Sequence, residues 1–420
     1  MSIPISTAAR EAVWRAEAAL QAAFRRIDAV EAVNQMRVLE AFQEERVSAN
    51  HFAPSTGYGY DDIGRDTFER VFARAMTAET ACVRPQIVNG THALFLMLSG
   101  VTGMGDTILS ITGDPYDTLQ KAIGITGDAP HSLKKRGVRF VSVPLDAQGR
   151  IQMDEVERIL RSDTSIRVVF AQRSRGYAWR NALSVRAMGE AFERIRACRN
   201  TIVIAVDNCY GEFVEATEPI GAGADLIAGS LIKNPGGGLA PTGGYIAGKK
   251  PLVEQTTHCL TVPGMGGEVG SYAGSYRAFY QGLFLAPHTV AQCLKSAALM
   301  AALFSSLGYD TLPDAGAVRS DIIQAIRFPD RDGLIRFCRC IQKAAPIDSY
   351  AVPEPWDMPG YSDQIIMAAG AFVQGATTEL SADAPIREPF TAYLQGALTY
   401  AHGRIAAMMA YDTVGSKLPQ

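Results

Sequence analysis

Six short apolar runs alternate with amphipathic helical stretches between about Asp66 and Gly248, and this alternation limits what the chain can fold into. The runs read DTILSI at 106–111, VRFVSV at 138–143, IRVVFA at 166–171, TIVIAV at 201–206, ADLIAG at 224–229 and GGYIAG at 243–248. Segments apolar on both faces and separated by helices predict a mostly parallel sheet covered on both sides, an α/β architecture. Ligands of such sheets collect beyond the carboxyl ends of the strands, so the residues just after each run are the candidates for chemistry.

The flanking segments follow other patterns. From Thr7 to Val47, Val13, Trp14, Leu20, Phe24, Ile27 and Val30 recur at three- and four-residue spacings and predict a helical arm. Residues 50–65, NHFAPSTGYGYDDIGR, predict a long loop of the kind that carries function. A helix is predicted from Pro287 to Ser306, followed by mixed strands and helices. The implied divisions are an arm and active-site loop (1–65), a large α/β domain (66–286), and a linking helix with a smaller C-terminal α+β domain (287–420). A chain of 420 residues has room for them, since single cores stop growing near ~250–300 residues.

A net charge of −3 leaves no footprint for nucleic acid. The most apolar helical run, 288–307, contains Gln292 and Lys295 and predicts no membrane span. The N-terminal residues lack the basic, apolar and cleavage segments of a secretory signal, which points to the cytoplasm. Seven scattered cysteines without a C-x-x-C pair, and without a Cys/His cluster of zinc spacing, predict reduced thiols and no metal site.

At the strand ends, TIVIAV runs directly into Asp207-Asn208-Cys209-Tyr210, and ADLIAG into Ser230-Leu231-Ile232-Lys233. Adjacent strands would bring Asp207 and Lys233 to one crevice. The sequence GSLIKNPGGG is not a phosphate-binding P-loop, because such a loop needs its glycines before the lysine. Upstream, Asn89-Gly90-Thr91-His92 precedes an apolar helix, and free amides at a helix start beside a hydroxyl form an anion site suited to a phosphate monoester. Tyr116, in GDPYDT after the first run, offers a ring to stack on a planar ligand. A phosphate cradle, an aromatic platform, a carboxylate and a lysine together are what pyridoxal 5′-phosphate requires, with the aspartate keeping the ring nitrogen protonated.

The chain resembles the fold-type-I pyridoxal-phosphate enzymes, and within them the cystathionine/methionine lyase superfamily, in its methionine γ-lyase-like or "aluminium resistance" branch. The resemblance is carried by TGYGYDDIGRDTFE, NGTHALF, GDPYDTL, QRSRGY, VDNCYGEF, GSLIKNPGGGLAPTGGYIAG and ELSADAPIREPF, spread from residue 56 to 390. It implies that Lys233 is the Schiff-base lysine and proton shuttle, and that Asp207 is the pyridinium partner. Gly90, Thr91 and Ser230 look like phosphate contacts, Tyr116 like the stacking ring and acid for the leaving group, and Tyr210 like a contact to the cofactor's 3′-oxygen. Arg387 looks like the guanidinium that holds the substrate carboxylate. The loop with Tyr58 and Tyr60 is similar to one that such lyases lend to a neighbouring subunit, which implies a homodimer as catalytic unit, with two dimers pairing into a homotetramer.

Departures from the family pattern are Ile232, where a threonine is usual before the lysine, Arg65 as the first arginine after the tyrosine loop, and Asp117 where a glycine follows the tyrosine. The activity implied is elimination at Cβ or Cγ of a sulfur-containing or similarly substituted L-amino acid. A replacement synthase or an aminotransferase with the same cofactor, and a nucleotide-binding protein without catalysis, are the competing readings. His92 either stacks on the ring or serves the helix start. Arg173 and Arg175 either face the cofactor or form salt bridges.

Overall fold

The computed structural model describes residues 5–358 and 363–415; residues 1–4 and 416–420, at the ends of the predicted arm and C-terminal domain, and residues 359–362 lie outside the described residues. The helical pattern of the arm resolves into α1 (Thr7–Ala19) and α2 (Gln21–Glu44). They part at Leu20, whose N–H turns back to the Ala16 and Glu17 carbonyls. After the tyrosine loop, α3 (Ile63–Ala75) leads into a seven-stranded sheet. Its strands are β1 (Thr80–Arg84), β2 (Thr107–Ser110), β3 (Arg139–Ser142), β4 (Ile166–Gln172), β5 (Val203–Asp207), β6 (Leu226–Ser230) and β7 (Gly244–Gly248). Their order is β1-β7-β6-β5-β4-β2-β3. Strands β2 to β6 pair in parallel, while β7 is antiparallel to both β6 and β1.

All six apolar runs become strands. The seventh, β1, has no counterpart among them, because five residues at a sheet edge carry too little apolar pattern to be read.

Helices α4 (Gly90–Val101), α5 (Asp117–Ile123), α6 (Met153–Ser162), α7 (Val185–Cys198), α8 (Lys250–Leu260) and α9 (Arg277–Ser306) flank the sheet or follow it. Alternation along β5 divides the core into two layers. Ile204 and Val206 pack with Phe72 of α3, Val156 of α6, Met188 of α7 and Tyr280 of α9. Val203 and Ala205 pack on the opposite side with Leu94 and Met97 of α4, Leu119 of α5 and Val253 of α8. Burial on both faces is why these strands read as continuous apolar runs.

Helix α9 starts ten residues before the predicted Pro287. Proline favours the first turn of a helix over its interior. Here Phe279, Tyr280 and Leu283 extend the buried face upstream, and the helix carries Pro287 inside it.

A second, antiparallel sheet has the order β10-β11-β12-β9-β8. Its strands are β8 (Thr311–Leu312), β9 (Gln324–Arg327), β10 (Ile365–Ala369), β11 (Ser381–Pro385) and β12 (Thr391–Gln395). One face packs with α10 (Arg331–Ala344), α11 (Tyr400–Gly415), the end of α9 and α1, through Ala382, Ala384, Phe337, Ala407, Leu299 and Val13. Among the described residues no helix is long and apolar enough to cross a membrane.

Candidate active site

The carboxyl ends of β2, β4, β5 and β6 open on a cavity of about 550 Å³, closed on its far side by β11 and β12. Asp207 is the last residue of β5 and is buried, with Gln172 of β4 and Ala228 of β6 as its register partners. The Cys209 N–H donates to Asp207 Oδ1 at 3.0 Å. Beyond it the backbone enters the left-handed region at Tyr210, with φ 71°, a conformation a bulky L-residue seldom adopts.

Strand β6 ends in Ser230, and the Leu231 N–H returns to the Gly243 carbonyl at 2.9 Å. Lys233 then enters the cavity, its Nζ 3.5 Å from the centroid of the Tyr210 ring. The glycines that follow carry the chain close past α9. A Cβ at Gly236 would collide with the Leu231 carbonyl, and one at Gly237, where φ is 55°, with the Gly282 carbonyl of α9. These glycines therefore turn the chain and allow a close approach.

Helix α4 begins at Gly90 and is capped by Asn89, whose Oδ1 accepts the His92 N–H at 2.8 Å. A Cβ on Gly90 would stand 3.4 Å from both Ser230 Cβ and Cys209 Sγ, so the helix start, the β6 end and the β5 end meet there. Ser230 Oγ is buried at this point without a hydrogen-bond partner. The Tyr116 hydroxyl donates to Thr91 Oγ1 at 2.8 Å, and Thr118 Oγ1 lies 3.2 Å from the same atom. The Tyr116 N–H donates to Gln172 Oε1 at 3.0 Å, which fixes the ring against the cavity wall.

Burial opposes the charge on Lys233, but the Tyr210 phenol, the Cys209 thiol and the Asp207 carboxylate together outweigh it and hold the ammonium above its ordinary value. Burial alone would favour the neutral amine, and these neighbours reverse that balance. Burial raises Asp207 above the usual carboxylate range, opposed by the Cys209 N–H, the Cys209 thiol and Lys233. Cys209 and Tyr116 are both pushed up by burial and by Asp207. Under the lysine turn, burial pushes Glu212 up to about 8. Its Oε1 accepts the Tyr245 hydroxyl at 2.6 Å and its carbonyl accepts Asn234 Nδ2 at 2.9 Å.

Within one chain the cavity brings together Gly90, Thr91, Tyr116, Asp207, Tyr210, Ser230, Lys233 and Arg387. His92 is not among its lining residues; its Nδ1 accepts the Val88 N–H at 3.2 Å, so the ring serves the helix start. Tyr58 and Tyr60 also lie away from it, exposed and stacked on each other with centroids 5.6 Å apart. Arg387 lines the rim and donates from Nη1 to Asp363 Oδ2 at 2.8 Å.

Arg173 is a brace below the site, donating to Asn208 Oδ1, the Gly211 carbonyl and Glu215 Oε1, each at 2.8 Å. Arg175 lines the cavity but ties it to the second sheet, donating to the Leu312 carbonyl at 2.7 Å with Asp321 at 3.6 Å.

The sequence reading did not pick out Thr118, Gln172, Asp383, Tyr393 and Gln395, which also line the cavity. Gln172 directly follows an apolar run, so the strand-end rule points to it. Thr118, two residues past Tyr116, supplies a second hydroxyl beside Thr91, while Ile232 faces Gly375 instead of the helix start.

The residues present fit pyridoxal 5′-phosphate. An unpartnered buried hydroxyl at a helix start suits its phosphate, and a buried carboxylate pushed above its ordinary range gains from a cationic ring nitrogen. The sheet order and the cavity at its strand ends are those of the fold-type-I class of pyridoxal-phosphate-dependent enzymes. The Escherichia coli pyridoxal-5′-phosphate-dependent protein YhfS shares this fold at 13% identity, with a TM-score of 0.63 over 93% of this chain and 97% of that one.

The family profile described as methionine gamma-lyase matches residues 9–415, and the chain belongs to that family. It is 45% identical over 409 residues to the Bacillus subtilis (strain 168) protein YnbB, covering 97% of each. The carbon-sulfur lyase involved in aluminum resistance from Clostridium novyi NT is 49% identical, with a TM-score of 0.93 over 97% of this chain and 96% of that one.

Proposed function

We propose that the protein is a pyridoxal-phosphate-dependent carbon–sulfur lyase, which removes a sulfur-bearing group from Cβ or Cγ of an L-amino acid. With one water consumed, the products are a thiol, a 2-oxo acid and ammonia. The observation that carries this reading is the convergence of Lys233, Asp207, Tyr116 and the unpartnered Ser230 hydroxyl in one cavity. The family and the carbon-sulfur lyase named above support it.

Ser230, Gly90 and Thr91 would hold the phosphate, Asp207 the ring nitrogen, and Lys233 the aldehyde carbon. Once bound, the cofactor supplies a protonated ring that accepts the electron pair left at Cα. Lys233 would hold and move the Cα proton as general base. The Tyr210 ring gives its ammonium a resting place against the π-face. The Tyr116 hydroxyl is committed to Thr91, which leaves Lys233 as the mobile proton carrier. Arg387 at the rim would exchange Asp363 for the substrate carboxylate, which its planar fork can hold in a bidentate grip. The exposed Tyr58 and Tyr60 rings, away from their own cavity, support a dimeric catalytic unit in which each loop completes the partner's site.

Reconstitution with the cofactor tests the reading. The expected result is an absorption band at the blue edge of the visible, lost in Lys233→Ala, with stoichiometric thiol, 2-oxo acid and ammonia from amino acids bearing sulfur at Cβ or Cγ. A protein that stays colourless after cofactor addition refutes it. Transfer of the amino group to an added oxo acid, or capture of an added nucleophile, would assign an aminotransferase or a replacement synthase instead.

A further inference from the structure

Asp383 lies in the same cavity and answers to none of the cofactor's needs. Its neighbours on β11, Ala382 and Ala384, are buried in the core of the second sheet, so strand alternation turns Asp383 to the opposite face and into the cavity. Gln395 of β12 donates from Nε2 to Asp383 Oδ2 at 3.2 Å, and Tyr393 is its register partner. Ile232, Ile323, Gly375 and Tyr177 line the cavity beside it, together with the arginines Arg175 and Arg387.

Among the described residues Asp383 has no ion pair; Arg387 is engaged by Asp363 and Arg175 by Leu312 and Asp321. Lys233 is the cation that acts on Asp383, and Lys233 is the residue the cofactor would take up. On the substrate side there remains a carboxylate oriented by an amide and without a fixed counter-ion, since both arginines of the lining are paired elsewhere. Asp114 and Asp117 add negative charge to the lining.

We propose that Asp383 selects substrates by side-chain charge, admitting L-amino acids whose side chain ends in a neutral or positively charged group and rejecting those that end in a carboxylate. This rests on the reading of the cavity as an amino-acid site. A carboxylate brought beside Asp383 meets like charge in a walled space where screening is weak, whereas an ammonium finds the partner Asp383 lacks.

Calorimetric titration of the cofactor-loaded protein with L-glutamine, L-glutamate and L-ornithine decides it. Glutamine and glutamate have nearly the same shape and differ in charge. The wild type is expected to bind glutamine and ornithine at least ~10-fold more tightly than glutamate, and Asp383→Asn and Asp383→Ser to bring the three within ~3-fold. Equal binding of glutamate and glutamine by the wild type overturns the proposal, as does a ratio unchanged in both variants or a uniform loss of affinity for all three. Failure to take up the cofactor, seen separately as absence of the visible band, counts against the proposed function instead. The same titration of the cofactor-free protein then decides the charge preference.

Discussion

Tyr210 is held in a conformation that its own sequence disfavours. A left-handed aromatic residue costs on the order of 1–3 kcal/mol, and surrounding contacts must fix it. The Gly211 N–H to Asn208 carbonyl turn at 3.0 Å fixes it on one side and the Lys233 ammonium on the other, while Arg173 braces the turn from below. Asp383 faces the same ammonium and carries a measurable consequence. Burial pushes its carboxyl up to about 6 from an ordinary 3.8, against the pull of Lys233 and Gln395. The folded protein therefore binds this proton more tightly than the unfolded chain does. The resulting stability is fully present below pH 3.8 and is lost as pH rises through about 6. Asp383→Asn, measured by urea unfolding of cofactor-free protein, should match the wild type near pH 4 and exceed it by ~1–3 kcal/mol at pH 8. A difference independent of pH would refute the assignment. This residue was not legible in the sequence: a carboxylate between two alanines shows no chemistry until the strand's orientation is known. Arg173 and Arg175 were legible as candidates, but their separation into brace and tie depends on Glu215, Leu312 and Asp321, which come from other parts of the chain.

The strands of the large sheet were legible because burial on both faces leaves continuous apolar runs, and the strand-end rule then located Asp207, Ser230 and Lys233. The second sheet was legible only as mixed strands and helices of a C-terminal α+β domain, without its strands placed: β8 has two residues and β9 four, too short for a period of two to declare itself. Helix α9 was read only in its later part, and its first turns hold the contact that positions the lysine turn. Gly282 of α9 lies against Gly236, where an added Cβ would collide with the Gly236 carbonyl. Helix propensity alone predicts that Gly282→Ala stabilises by about 1 kcal/mol. The contact predicts the opposite sign, because backbone presses on backbone and neither side has a flexible end to move. Gly282→Ala should lower the unfolding free energy by ~1–3 kcal/mol and weaken cofactor retention with it, as Lys233 shifts with its turn. A stabilised variant with unchanged cofactor affinity would show that α9 does not set the turn.

At the scale of the whole molecule the tyrosine loop is the part a single chain leaves unexplained. It is well tied down: Arg65 Nη1 donates to the Gly59 carbonyl at 2.8 Å, and the Gly270 N–H to the Tyr58 carbonyl at 2.9 Å. Tyr58 and Tyr60 nevertheless stay 69% and 59% exposed, which fits the dimeric unit proposed above, in which the loop serves a second copy. A subunit-mixing experiment separates service to the partner from service to its own chain. The Lys233→Ala chain keeps an intact loop and has no amine; the Tyr58→Ala/Tyr60→Ala chain keeps the amine and has a stripped loop. Each homodimer should be inactive or nearly so. If the loop serves the partner, a mixed dimer holds one site with the amine from one chain and the loop from the other. Equal random mixing then makes half the dimers mixed with one working site each, restoring about a quarter of wild-type activity under two-fold symmetry. If each loop serves its own chain, neither site of the mixed dimer has both parts and mixing restores nothing. Full activity in the double tyrosine variant by itself would remove the loop from the site altogether.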